Sequence, residues 1–428
     1  MNERTYRVTT LGCRVNKADS LAIERELAER GYRRAPAGVV PDLWVVNTCA
    51  VTSEGMKKSR KAVRRCAGSG ARVIVTGCGA DLDPSAFLAD GVEAVRSNRD
   101  KGSLVADACG RAGGQCPAPW APEELARVPV KVQEGCSRLC AYCIVPYLRP
   151  SPYSRPVGSV TGEARRIASG GAGEIILCGI DLGSYYDPET GAGIDVLAAR
   201  VAESAPGTWV RLSSIELSDV TEPLLEAMRQ GKVCRHLHLP LQSGDEGVLR
   251  AMGRAYQPEE FSSRVEEIRS VVPGIAVTSD VMVGFPGEDE AAFGNTLAMV
   301  ERLRFSRLHV FKYSPRPMTA AYGLGDPVPP GSKSQRAGEL RRAGERAAGE
   351  FHAGLVGRII EVLVEDTMDS EQGMLFGRAE SFAGAVFAGP REAIGRVMEL
   401  EVTSSENAFV RGELVGGLAG RENELIGG

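Results

Sequence analysis

The sequence predicts an α/β protein in three parts: an N-terminal parallel β-α-β sheet domain, a central partial (β/α)6 barrel, and a small all-β barrel at the C-terminus. Three observations carry this expectation. Strand-like and helix-like runs alternate through the first hundred residues. The alternation resumes at Arg127 and yields six strand-like runs in about 190 residues, fewer than a full eight-fold barrel of roughly 250 residues uses. After about Phe351 only short strand-like runs separated by turn residues remain. The corresponding boundaries are 1–115, a linker at 116–126, 127–350, and 351–428.

In the first part, "YRVTTLGC" is a β-branched run ending at Cys13, and "NKADSLAIERELAERG" is an amphipathic helix closed by Gly31. "DLWVVNTC" is a second strand ending at Cys49, followed by the helix "SEGMKKSRKAVRRCAGSG". "ARVIVTGC" is a third strand ending at Cys78. This β-α-β-α-β order favours a parallel sheet, whose strands put their carboxyl ends on one edge, where ligands bind. Cys13, Cys49 and Cys78 therefore converge in space. The Gly-, Pro- and Ala-rich segment up to Glu124 reads as a connector, and its Cys109 and Cys116 fit no motif.

In the second part the strand-like runs are "VPVKVQEG", "GEIILCG", "WVRLSSIE", "CRHLHLPLQ", "IAVTSDVMVG" and "RLHVFKYS", with helical patterns such as "PEEFSSRVEEIRSVV" between them. "KSQRAGELRRAGERAAGEF" reads as a helix joining this barrel to the tail. Barrel chemistry sits at the carboxyl ends of strands. The histidines His236, His238, His309 and His352 form no metal spacing in sequence and read as hydrogen-bonded barrel residues.

Composition bounds the function. A hydrophobic fraction of 43% and a charged fraction of 25% are ordinary for a globular protein. No apolar run reaches the roughly 18 residues a membrane span needs, and the N-terminus lacks a signal-peptide pattern, so a cytoplasmic protein is expected. In that reducing compartment eleven cysteines read as thiols or metal ligands rather than disulfides. The net charge of −4 argues against a globally basic nucleic-acid binder but leaves room for a local basic face. "KKSRKAVRR" supplies one, with Lys57, Lys58, Arg60, Lys61, Arg64 and Arg65 on one predicted helix; a merely solvated helix face is the other reading.

The stretch "VQEGCSRLCAYCIVPYLR" places Cys136, Cys140 and Cys143 at C-x3-C-x2-C spacing in the loop after the first barrel strand. A structural zinc site wants four closed ligands, and no fourth Cys or His lies near; zinc would need a remote ligand. A 4Fe–4S cluster has four iron positions for thiolates, and three protein ligands leave one iron open to a small molecule.

That spacing, with Tyr142 before the last cysteine, resembles the radical S-adenosylmethionine superfamily. The resemblance implies that Cys136, Cys140 and Cys143 hold a cluster that chelates and reductively cleaves S-adenosylmethionine to a 5′-deoxyadenosyl radical. It further implies cofactor contacts from Gly173 and Glu174 in "GEIILCG", from Ser213 and Glu216 in "SSIE", and from Gly284 in "VMVGFPGE". A solvent-facing glutamate at a strand start is the plainer reading of Glu174.

With the second set Cys13, Cys49 and Cys78, and with a small C-terminal barrel at about Gly354 to Leu414, the chain resembles the methylthiotransferase family across nearly its whole length. This implies an N-terminal methylthiotransferase domain with an auxiliary 4Fe–4S cluster, a radical S-adenosylmethionine barrel and a TRAM barrel. "LGCRVNKADS" is similar to the group acting on N6-threonylcarbamoyladenosine of tRNA. The implied reaction is 2-methylthiolation of that nucleoside at position 37. The radical removes the hydrogen at C2, which ordinary acid–base catalysis cannot reach. The auxiliary cluster supplies sulfur and a second S-adenosylmethionine the methyl group. The implied partners are the tRNA anticodon stem-loop, S-adenosylmethionine and an electron donor of flavodoxin type, with the enzyme a monomer. Isopentenyladenosine-37, a ribosomal-protein aspartate, and a non-enzymatic iron–sulfur or zinc RNA-binding protein are the alternatives.

Two features depart from the family pattern. Arg149 and Arg155 are followed by Pro150 and Pro156, where the first commonly has glycine after it. Residues 353–428 carry six Arg, no Lys and thirteen Asp or Glu, a net of −7, leaving +3 for residues 1–352. RNA contact is then expected chiefly from "KKSRKAVRR" and "RAGELRRAGER", with Phe376, Phe382 and Phe409 either aromatic contacts or barrel core.

Overall fold

The computed structural model describes residues 4–109, 126–369 and 373–415, so most of the expected linker, with Cys116, lies outside the described residues. The first unit comprises β1 (Thr5–Thr10), α1 (Arg14–Glu29), β2 (Arg33–Arg34), β3 (Leu43–Thr48), α2 (Ser53–Ala67), β4 (Arg72–Gly77), α3 (Cys78–Leu82), β5 (Val92–Val95) and α4 (Lys101–Cys109). Its sheet is parallel in the order β2-β1-β3-β4-β5. The three expected strands form its centre. Val45, Val46, Val73 and Val75 are buried, the near-continuous apolar reading of strands covered on both faces. The edge strands β2 and β5, two and four residues long, are too short to show a sequence period. Helix α2 is capped by Thr52, whose hydroxyl accepts the Gly55 N–H, and ends on Arg64 and Arg65.

The second unit comprises β6 (Arg127–Lys131), β7 (Gln133–Glu134), α5 (Val145–Leu148), β8 (Tyr153–Ser154), α6 (Val157–Ser169), β9 (Glu174–Cys178), α7 (Ile194–Ser204) and β10 (Trp209–Leu212). It continues through α8 (Glu222–Arg229), β11 (His236–His238), α9 (Glu246–Met252), α10 (Pro258–Val271), β12 (Ala276–Val283), α11 (Glu290–Leu303) and β13 (Arg307–Lys312). Two parallel three-stranded sheets, β10-β9-β6 and β11-β12-β13, are joined by a single bridge between Ser214 and His238. This is the expected six-stranded partial barrel. The ribbon of β7 with β8 pins both ends of the C-x3-C-x2-C loop. Pro156 caps α6 at φ −55°, a backbone proline adopts without strain.

Helix α12 (Pro330–Ala353) leads into β14 (Ile359–Asp369), β15 (Met374–Ala379), β16 (Gly384–Ala388), β17 (Val397–Ser405) and β18 (Val410–Leu414). These close into a barrel in the order β14-β15-β16-β18-β17. The closed barrel docks beneath the amino ends of the central strands. Arg211 donates to the Glu380 carbonyl at 2.8 Å, Arg127 meets Glu365 at 3.2 Å, and Arg235 pairs with Glu380. Part of the acidity of this unit is thus committed to holding the barrel rather than facing solvent.

Candidate active site

The loop between β7 and β8 carries Cys136, Cys140 and Cys143, all partly exposed. Burial pushes the Cys136 thiol up to about 11 and the Cys143 thiol up to about 12, so both keep their protons at neutral pH until a metal displaces them. Cationic groups ring the loop. Arg254 donates to the Cys140 sulfur at 3.5 Å while pairing with Glu216. Arg138 pairs with Asp181 at 2.9 Å and with Asp219. Tyr142 packs on the cluster of Val248, Met252 and Phe285. A cavity of about 710 Å³ opens beside Cys140, lined among others by Glu216, Arg254 and Tyr256.

The N-terminal set assembles as the strand-end argument requires. Cys13 caps α1 just after β1, Cys49 follows β3, and Cys78 opens α3 directly after β4. The three strands are neighbours in the sheet. Gly12, at φ +100°, lies so close that a Cβ would come within 2.9 Å of the Cys49 sulfur. Only glycine permits both that backbone and that approach. Asn98 reaches the Cys78 sulfur at 3.6 Å. Arg316 bears on Cys49, and its Nε and Nη2 are buried without a partner among the described residues.

The two units that carry these sets are tied together by Arg149. This side chain is 3% exposed and donates to Glu134 of the barrel and to Asn16 and Asp19 of the first unit, at 2.7–2.9 Å. Asp19 also takes Lys101 and Lys131. Val15 and Ala18 of α1, just after Cys13, pack on Cys178 at the carboxyl end of β9, which brings the start of α1 against the barrel. Within the lumen, Asp280 accepts from His238 at 3.2 Å and from His309 at 3.1 Å. Thr278 bonds both His236 and His238. The His238, Asp280 and His309 ligand atoms lie within 4.8 Å of one another, a grouping of metal-site dimensions that sequence spacing concealed. Burial opposes ionisation of Asp280, but the hydrogen bonds from the two histidines hold its carboxyl well below the usual range.

Comparison with known proteins agrees with this geometry. The Radical SAM superfamily model matches residues 130–300, the model described as Uncharacterized protein family UPF0004 matches 5–95, and the TRAM domain matches 354–415. The chain is 32% identical to the threonylcarbamoyladenosine tRNA methylthiotransferase MtaB of Bacillus subtilis, over 95% of each chain. It belongs to the radical S-adenosylmethionine methylthiotransferase family. It is also 32% identical to the tRNA-2-methylthio-N(6)-dimethylallyladenosine synthase of Chlorobium luteolum, over 96% of this chain and 98% of that one. Among solved structures, the radical S-adenosylmethionine methyltransferase TsrM of Kitasatospora setae shares the fold. Its TM-score is 0.56 at 13% identity, covering 75% of this chain and 77% of that one.

A methylthiotransferase of this family uses S-adenosylmethionine and a 4Fe–4S cluster. The donor chemistry of Cys136, Cys140 and Cys143 fits such a cluster: three thiols on one loop, with the Arg254 guanidinium donating to the Cys140 sulfur and the Arg138 backbone N–H to the Cys136 sulfur. The buried Ser213 hydroxyl at the end of β10 has no hydrogen-bond partner among the described residues, as a side chain awaiting a ligand would have. Glu216 stands on the same rim, held by Arg254.

Two expected cofactor residues, Glu174 and Gly173, are corrected. Glu174 opens β9 instead of ending it, and its fully buried carboxylate is held by Arg127 and Arg211 at 2.8–3.0 Å. Gly173 lies where a Cβ would strike Leu363 of the closed barrel at 2.3 Å. Both serve the floor, at the opposite end of the strands from the cysteine loop. Gly284 takes φ +76° after β12 with its open side filled by Lys333, and its N–H goes to Glu288 at 2.9 Å. The acidic group that does reach the rim from β9 is Asp181, with an oxygen 3.7 Å from the Cys136 sulfur. Phe382 also differs from both readings made of it. At φ +69° it leaves the closed barrel and stacks on His236 at 4.7 Å, plugging the floor of the central barrel.

Proposed function

We propose that this methylthiotransferase converts N6-threonylcarbamoyladenosine at position 37 of tRNA to its 2-methylthio derivative. Cys136, Cys140 and Cys143 would carry the cluster that activates S-adenosylmethionine. Cys13, Cys49 and Cys78 would carry a second 4Fe–4S cluster. The observation that supports two cooperating centres is the packing of Val15 and Ala18, just after Cys13, on Cys178 of the barrel, reinforced by Arg149 across both units. The unpartnered nitrogens of Arg316 beside Cys49 fit an anionic, thiolate-bound group there.

When loaded, the barrel centre supplies a radical able to take an unactivated hydrogen. The protein's own residues do the rest. Arg254 and Glu216 wall the cofactor cavity, and Arg149 holds the two thiol sets in register. Lys57, Lys58, Arg60, Lys61, Arg64 and Arg65 are all exposed on α2, directly after Cys49, and form the basic face offered to the anticodon stem-loop. The enzyme works as a cytoplasmic monomer fed by a flavodoxin-type reductant. No helix among the described residues is long and apolar enough to cross a membrane.

The threonylcarbamoyl substrate is favoured by the match to "LGCRVNKADS" and by the relatives from Bacillus subtilis and Thermotoga maritima that bear that activity in their names. A second reading, dimethylallyladenosine, has relatives of similar identity behind it. Nucleoside analysis of tRNA from cells with and without the protein decides between them. Loss of the 2-methylthio-threonylcarbamoyl nucleoside is expected. Loss of the 2-methylthio-dimethylallyl nucleoside instead would overturn the assignment.

A further inference from the structure

The floor of the central barrel holds more positive than negative charge. Around the ring of Phe382 stand the guanidinium groups of Arg14, Arg127, Arg211 and Arg378, at 5.7, 5.2, 5.2 and 4.9 Å. They come from the start of α1, from β6, from β10 and from β15, so they enclose the lumen from several sides. Two carboxylates answer them. Glu174 binds Arg127 and Arg211, and Glu365 binds Arg127 and Arg378. Glu380 is turned to Arg235. His236, on the same ring, is kept neutral by burial and by the surrounding arginines.

Arg14 is the cation left over. It is half-buried, and among the described residues no carboxylate pairs with it and no carbonyl accepts from it; its one close partner is the face of Phe382. Its nitrogens keep access to solvent instead of being buried without a partner, so its planar fork is open to a ligand and shaped for a carboxylate. The residue before it is Cys13. Purine C2 and C6 flank the same ring nitrogen. A purine that presents C2 to a group at Cys13 therefore sends its N6 substituent into the same neighbourhood. A threonylcarbamoyl substituent ends in a carboxylate and a hydroxyl, whereas a dimethylallyl substituent has neither.

We propose that Arg14 is the specificity-determining anchor for the carboxylate of the N6 substituent, with Phe382 as the platform that holds its fork. The proposal rests on the threonylcarbamoyl reading above. Glu174 holds Arg127 and Arg211, and Glu365 pairs with Arg378, so among the described residues Arg14 is the one of the four with no carboxylate partner. A divalent cation at the nearby His238–Asp280–His309 group would add charge to a lumen that already has an excess of it.

The test uses reconstituted holoenzyme and anticodon stem-loops carrying threonylcarbamoyladenosine, its uncharged methyl ester, or dimethylallyladenosine at one position. Binding is measured by direct titration and turnover by product nucleoside. The wild type is expected to favour the acid over the ester by roughly 10- to 100-fold in kcat/KM and in Kd, the range of a charged hydrogen bond. Arg14→Gln is expected to bring that ratio close to one, and Arg14→Lys to restore much of it. Iron content and Tm report whether each variant is intact. A purely structural role would depress acid and ester together and leave their ratio standing. Arg14→Gln with the wild-type ratio therefore overturns the anchor while the substrate reading survives. A wild type that turns over dimethylallyladenosine and ignores the acid overturns both.

Discussion

Glu174 offers the sharpest test of the architecture, because its sequence context points to the cofactor and its surroundings point to the floor. Replacing it with glutamine keeps the volume and removes the charge. Four N–H donors, two from Arg127 and two from Arg211, lie 2.8–3.0 Å from its oxygens, and Arg211 is fully buried. Removing one partner of a buried ion pair costs about 3–5 kcal/mol, because the other charge stays behind without compensation. In a unit the size of the central barrel this lowers Tm by roughly 6–20 °C. The assay is anaerobic thermal unfolding of wild type and Glu174→Gln, with S-adenosylmethionine affinity measured on the folded fraction of each. Tm should fall and the affinity should stay. The sign of the pH dependence follows. Burial opposes ionisation of Glu174, but Arg211 and Arg127 overcome it and hold the carboxyl below its ordinary value. Its contribution is complete above about pH 4.3 and fades as pH drops through the lower folded value, so the Tm gap between wild type and variant should narrow in acid. An unchanged Tm with weakened S-adenosylmethionine binding would refute the floor assignment and return Glu174 to the cofactor.

Two further outcomes are expected. Reconstituted wild type should hold about eight iron per chain, and the Cys136/Cys140/Cys143 triple-Ala variant and the Cys13/Cys49/Cys78 triple-Ala variant about four each; only the second should still cleave S-adenosylmethionine. About four iron in the wild type would remove the auxiliary cluster. Lys61→Gln with Arg64→Gln on α2 should weaken tRNA binding and flatten its log–log salt dependence by roughly 1.5 units, read from filter binding at several salt concentrations. An unaltered slope would clear α2 of contact with RNA.

The chain's local patterns determined a great deal. The β-branched and apolar runs of the strands and the glycine stops of the helices are short-range signals, so the three units and their order were legible. The placement of the six cysteines was legible for a related reason. Cys136, Cys140 and Cys143 are close in sequence, and Cys13, Cys49 and Cys78 each sit one step past a parallel strand, so sheet geometry alone brings them together. What needed tertiary structure is everything that depends on which end of a strand meets which neighbour. Glu174 and Asp181 are seven residues apart at opposite ends of the same β-strand and loop, and only the folded barrel shows that the first faces Arg211 and the second Cys136. The grouping of His238, Asp280 and His309 spans three strands 29 or more residues apart, a distance no spacing rule covers. Arg149 followed by proline departs from the family pattern, yet the arginine is the buried tie between two units. Phe382 belongs by sequence to the last barrel and by packing to the floor of the one before it. Buried charges and plugs of this kind are settled by partners distant in the chain, because a polar group taken out of water must find its complement wherever the fold supplies it.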